Sequence, residues 1–314
     1  MFCGFGGVIS YRLLDTDDLP EGAAKARDKI DAFFGPDNVS ALARLLIQHY
    51  LPLRQREISL WQSDPEAFVS EEDAESWEYN LRPCAENVLL TLSNRFRGTV
   101  GTVILELMRS TRDELHAESN LAGFLLKEAA YSAACICAYD LFDVMDFRSW
   151  FHSQLLPESQ VARPGFFLLH RRIAALMGRW ASVKMDKEIR PDVYALLARY
   201  LGPEQDLVVR ISAAQALRSV VDDFDFEAAS FEPFLPSFVS LLARLIGELD
   251  ELDTKSVALS AVNVVLDRMR SKIRPFARDL VMLVPSLWSS SGAQHLFKAS
   301  VLAVLTKLVD VCAE

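Results

Sequence analysis

The sequence predicts an all-α fold, a HEAT/armadillo-like α-α superhelical solenoid, on three observations. From Gly165 onward apolar residues recur at steps of three and four, the helical period, with no strand alternation. Paired amphipathic segments have second members starting near residues 206, 254 and 293, and helix pairs recurring every 40–47 residues or so mark such solenoids. The 13 Gly and 13 Pro among 314 residues are too few for a turn-rich β architecture.

Each element follows from the same spacing. After Pro164, a residue suited to a first helical turn, Phe166, Leu169, Ile173, Leu176, Trp180 and Val183 share one face. Pro191 opens a helix with Val193, Leu196, Leu197 and Tyr200 inward, and Gly202-Pro203 ends it. Asp206 stands as N-cap before Leu207, Ile211, Ala214, Leu217 and Val221; its DLVVRISAAQAL segment fits the second helix of a HEAT repeat. Phe238, Leu241, Leu245 and Leu249 form the next stripe. Thr254 then caps a helix bearing Leu259, Val262, Leu266 and Met269. Phe276–Leu287 and Phe297–Val311 complete three hairpins, 190–221, 234–270 and 275–311.

The first half is less regular. Pro36–Leu51 and Leu81–Phe96 read as amphipathic helices, and Asn120–Phe142 as one apolar nearly all round, hence buried on several sides. Between them Asp64–Glu78 carries seven acidic residues and no basic one. The expected organisation is poorly defined N-terminal helices over 1–57, an acidic loop or insertion over 58–80, and one continuous array over 81–314.

Charge and cysteine usage narrow the function classes. A net charge of −10 argues against bulk attraction to nucleic acid or anionic lipid and favours basic partners. Five scattered Cys and no basic region before the first apolar residues suggest reduced thiols and an intracellular protein. The nearly apolar stretch Ala129–Tyr139 is too short to span a membrane, so no membrane span is expected. Cys135 and Cys137, two positions apart on a helix, point about 200° apart and read as buried thiols. The five His show no metal spacing, and GFGG (Gly4, Gly6, Gly7) lacks the Lys-Ser/Thr of a phosphate loop. No nucleophile, base and orienting group occur together, so neither enzyme activity nor a cofactor or metal is expected.

Two acidic turns are the candidate partner-binding residues: Asp222, Asp223, Asp225 and Glu227 after one helix, then Glu248, Asp250, Glu251 and Asp253. They are expected on one edge of the solenoid, a repeat apart, with Phe224 and Phe226 anchoring the first turn and its carboxylates in solvent. Arg171, Arg172 and Arg179 read as arginines whose stems cover neighbouring helices, with ion pairing to the acidic stretch as the alternative.

Four segments carry a family resemblance: Ser59–Leu92 with its SWEYNLRPCAE string, Leu125–Glu158, Leu168–Met185, and Asp206–Pro236 with DLVVR then VDDF. From about Ile58 onward the chain resembles the central region of importin-beta superfamily transport receptors, in particular the importin eleven type. The resemblance implies nuclear import of protein cargo. It further implies binding of phenylalanine-glycine nucleoporins, Ran-GTPase-linked release, and shuttling between cytoplasm and nucleus through the nuclear envelope. Such receptors are much longer, and no counterpart of their amino-terminal repeats, where Ran in its GTP form chiefly docks, is expected before Ser59. The alternative is a cytoplasmic HEAT-repeat scaffold subunit of a multiprotein complex.

Overall fold

The computed structural model describes residues 25, 28–30, 32–73 and 80–313; Cys3, the GFGG glycines, Glu75 and Glu78 lie outside them. Among the described residues there is no strand. In chain order the α-helices are α1 Pro36–Leu45, continued by a π-helical turn Leu46–Tyr50, then α2 Gln55–Ser63 and α3 Pro65–Asp73. Next come α4 Leu81–Arg95, α5 Arg97–Ser110, α6 Leu121–Ile136 and α7 Ala138–Leu141. Helix α8 Phe147–Trp150 leads through a π turn, Phe151–Leu155, into α9 Leu156–Glu158. The remainder are α10 Phe167–Lys184, α11 Arg190–Tyr200, α12 Leu207–Asp222, α13 Ala228–Phe231, α14 Leu235–Glu248, α15 Leu252–Met269, α16 Ala277–Ser290 and α17 His295–Ala313.

The hairpins expected from periodicity are α11–α12, α14–α15 and α16–α17. Their second members stack in a row that runs α6, α10, α12, α15, α17, while α11, α14 and α16 form the other layer. The six residues placed on one face of α10 are buried, apart from the half-buried Val183. Burial of such side chains, at about 1.5–3 kcal/mol each, holds the layers together. Trp180 is fully buried and stacks on Phe147 at 4.8 Å and 6°.

Several local expectations shift. Pro164 lies three residues before the first residue of α10, and Gly165 makes the turn between them with φ 79°. Asp206 is the N-cap of α12, its carboxylate accepting from the Val208 amide at 2.9 Å. Thr254, by contrast, sits inside the first turn of α15, whose N-cap is Glu251. The stretch 58–80 is no loop: most of it folds as α2 and α3, which pack on each other and against α12 and α15. Helical packing also begins upstream of residue 81, where α1 lies on α5.

Ala228–Glu248 has the length and hydropathy of a membrane span, although Ala129–Tyr139 is the more apolar-looking run in the sequence. A 3-10 turn at Glu232–Phe234 interrupts it. Phe231, Leu235, Phe238, Leu242 and Leu245 are buried within the solenoid.

The single helix expected over Asn120–Phe142 breaks at Cys137 into α6 and α7, and α6 is buried all round from Lys127 to Ala134, its two charged residues included, while Leu121 and Ala122 at its start are exposed. Lys127 donates to Glu158 at 2.6 Å and to the Arg112 carbonyl, and Tyr131 donates to the other Glu158 oxygen at 2.8 Å. Glu128 accepts from Arg172 at 2.7 Å. Each buried charge therefore has a partner of opposite sign, without which its burial would be prohibitive.

The closest helix approach decides one residue. A Cβ on Gly178 of α10 would stand 2.9 Å from the Ala216 Cα of α12. Gly178→Leu should therefore destabilise by roughly 1–3 kcal/mol or more through overpacking, read as a lower urea midpoint. Gly247→Ala, at a helical position with nothing within 4 Å, should leave stability unchanged or raise it by up to about 1 kcal/mol.

His170 gives a second expectation. Burial beside Phe166 and Tyr200 lowers its pKa to about 4, so it stays neutral in the fold. Unfolding lets it take a proton below about pH 6.5, so its contribution is intact above that pH and is lost as the pH falls toward 4. Wild type should lose about 2 kcal/mol more than His170→Gln between pH 7 and pH 5 in urea melts.

Candidate partner-binding surface

The two acidic turns stand on opposite edges of the solenoid. Residues 222–227 follow α12, a second-layer helix, whereas 248–253 join α14 to α15 and so precede a second-layer helix. Since paired helices run antiparallel, a turn leaving the second layer and a turn entering it cannot share an edge. The expected recurrence along one edge is therefore replaced by one acidic turn at each end of the second-layer helices.

The first turn is partly neutralised from within. Asp223 accepts from Arg190, a guanidinium only 2% exposed, and from the Asp225 amide at 3.2 Å. Lys187 donates to Glu227 at 2.7 Å, and this hydrogen bond holds the Glu227 carboxyl below its usual pKa. Arg268 donates to the carbonyls of Asp222 and Asp223 and lies over the Phe226 ring. The three cations that serve this turn lie 33 to 46 positions from the residues they bind. Phe226 packs on Phe231, but Phe224, expected as a second anchor, is 95% exposed. Asp225 faces solvent without a cation, and Asp222 is exposed with only a loose ion pair to Arg268 at 3.8 Å.

In the second turn Arg244 donates to Glu248 at 2.7 Å and Arg210 donates to its other oxygen; these bonds lower its pKa. Asp250, Glu251 and Asp253 are exposed. The eight candidates therefore divide into Asp223, Glu227 and Glu248, held by cations of the fold, and five available to a partner.

Between α10, α12 and α15 runs a groove of about 920 Å³. The small residues Ala175, Gly178, Ser212 and Ala216 line it together with Arg179, Asp222 and Phe224. A second cavity, about 310 Å³, lies beside α2 and α3 and is lined by Arg82, Arg171, Glu57 and Glu72. Arg171 bonds Glu72 of the acidic stretch and lies over Trp61 and Phe68; Arg172 bonds Glu128; Arg179 lies over Tyr139. Ion pairing to the acidic stretch thus holds for Arg171, which is buried rather than spread over the surface.

No group of three or more His, Cys, Asp or Glu among the described residues could hold a metal ion. Burial raises the Cys137 thiol to about 12 and also raises that of Cys135, leaving both protonated. The arrangement offers charged edges, a groove and the exposed Phe224 ring: surfaces for binding another chain.

No protein-family model matches the chain. It is 37% identical to Importin-11 of Homo sapiens over 295 residues, which is 94% of this chain and 30% of that protein. The solved nuclear transport receptor Lph2 of S. cerevisiae superposes with a TM-score of 0.79 at 25% identity over 95% of this chain and 31% of its own. The chain is similar to one stretch of importin-beta superfamily proteins of the importin-11 type. Importin beta-like protein KAP120 of Saccharomyces cerevisiae is 28% identical over 90% of this chain and 28% of its own length. The karyopherin Kap121p, solved bound to Pho4p, shares the fold at a TM-score of 0.67 and 14% identity over 87% of this chain and 25% of its own. The chain thus spans under a third of the length of these relatives. The 295 matched residues are more than lie beyond Ile58, so the likeness to importin-11 begins earlier in the chain than the resemblance read from the sequence.

The division of the acidic turns has a direct consequence. Asp223→Ala strands the buried Arg190 guanidinium and should cost about 3 kcal/mol, whereas Asp225→Ala should stay within about 0.5 kcal/mol. Urea melts of the two single variants check this.

Proposed function

We propose that this chain is a cargo-binding portion of a nuclear transport receptor. The observation that carries the reading is the 37% identity to Importin-11 across 94% of the chain. The fold agrees with it, because a solenoid of stacked helix pairs offers an extended surface and no enclosed reaction site. The chain acts by binding and has no catalytic residues. Basic protein cargo engages the groove between α10, α12 and α15 and the exposed carboxylates Asp222, Asp225, Asp250, Glu251 and Asp253. Phenylalanine-glycine nucleoporins insert between helices of the layer formed by α11, α14 and α16. Ran in its GTP form acts through other repeats of the longer relatives. The receptor shuttles between nucleus and cytoplasm through the nuclear envelope.

The test is titration calorimetry with two probes, a Lys/Arg-rich localisation peptide and a phenylalanine-glycine repeat peptide. Replacing the five exposed carboxylates by Ala should weaken the basic peptide about tenfold or more, since each exposed ion pair contributes roughly 0.2–1 kcal/mol. Affinity of the wild type should also fall as salt screens those charges. The phenylalanine-glycine peptide should bind both proteins alike. A chain that binds neither peptide would instead fit a cytoplasmic scaffold.

A further inference from the structure

In a solenoid each repeat ordinarily touches only its neighbours. The α2–α3 hairpin breaks that rule. It lies along the edge where α10, α12 and α15 begin, and it makes a specific contact with each. At α10, Trp61 meets Phe167 edge-on at 5.2 Å, and Arg171 lies over Trp61 and Phe68 while bonding Glu72. At α12, the Trp61 indole donates to the Asp206 carboxylate at 2.9 Å, the group that also caps the helix. At α15, Glu66 accepts from the Asp250 amide at 2.8 Å, the Glu251 amide at 3.0 Å and the Thr254 hydroxyl.

The last contact is unusual in its division of labour. The N-cap residue of α15, Glu251, makes no side-chain capping bond. A carboxylate 185 positions earlier in the chain instead takes the amide of the N-cap residue and that of the residue before it, and the hydroxyl of Thr254 in the first turn. Glu66 is 7% exposed, although Asp64 stands two residues before it and the turn it enters is acidic too. Only the unpaired amides of a helix start would attract a carboxylate into such a setting.

We propose that the α2–α3 hairpin is a clamp that fixes the relative rotation of three successive repeats. It holds α10 through stacked rings and the Arg171–Glu72 ion pair, and it holds α12 and α15 through helix packing with one polar latch on each, Trp61 and Glu66. The hairpin therefore stays anchored on α10 when the Glu66 latch opens, and the α15 repeat gains freedom to turn against α10. This device is independent of what the solenoid carries.

A rescue design separates a clamp from a simple helix cap. Nitroxide-bearing non-natural residues at the exposed positions Ala162 and Gly247 report the distance between the α10 and α14–α15 repeats by pulsed electron spin resonance. Glu66→Ala should broaden the wild-type distance distribution and speed exchange of the Asp250 and Glu251 amides about fivefold, the equivalent of a lost cap. Adding Glu251→Ser gives α15 a local cap, since Glu251 already has extended backbone, φ −80° and ψ 142°. In the double variant thermal stability should recover while the distribution stays broad. A wild-type distribution in the double variant would reduce Glu66 to a helix cap and overturn the clamp. Should the Glu66 variants fail to fold, 3-benzothienylalanine at Trp61 replaces the indole N–H by sulfur and keeps the bicyclic shape; broadening there supports the clamp, and an unchanged distribution overturns it.

Discussion

The close stacking of α10 on α12 is the contact on which the remaining architecture rests. These two helices approach so nearly that a Cβ at Gly178 would fall inside contact distance of the Ala216 backbone. Small residues at that crossing set the spacing of the second layer, and α15 and α17 continue the row. Once the row exists, α11, α14 and α16 bury their apolar stripes against it, and the groove between α10, α12 and α15 is the space its small residues leave open. Stability in such a stack is a sum of neighbour terms, so a fault at one crossing spreads to both sides.

Charges inside this stack act as fasteners rather than as surface decoration. Lys127 with Glu158, and Glu128 with Arg172, join α6 to α9 and to α10 across the irregular middle of the chain, where helix pairing is least regular. Arg190 with Asp223 ties the start of α11 to the turn after α12. Replacing such pairs by apolar residues is often tolerated, but removing one member is not, because the other is left charged and dry. The same logic explains why a turn with four carboxylates is compatible with the fold: Arg190, Lys187 and Arg268 come to it from neighbouring helices.

Binding of another chain needs a rigid frame with a few accessible groups. Here the frame is helical, and the accessible groups are five carboxylates at the two ends of the second-layer helices and the exposed Phe224 ring. The α2–α3 hairpin bears on the frame instead, because it links repeats that the neighbour rule would leave independent.

Much of this was legible in the sequence. The helical period and the spacing of its breaks determined the fold class, the three C-terminal hairpins and the Asp206 cap, because both depend on residues within a turn or two of each other. The SWEYNLRPCAE and DLVVR strings carried the family resemblance. What the tertiary structure alone decided depends on groups far apart in the chain. Acidic composition marked 64–78 as an insertion, yet nothing local says that Trp61 reaches Asp206 or that Glu66 caps α15. Periodicity likewise locates the acidic turns but not the edges they occupy, which follow from the antiparallel course of each pair. Which carboxylates remain free was equally out of reach, since Arg190 and Lys187 find Asp223 and Glu227 only after α11 has folded back beside α12. A sequence states its local periods directly, whereas the pairing of buried charges is settled by which helices come to lie side by side.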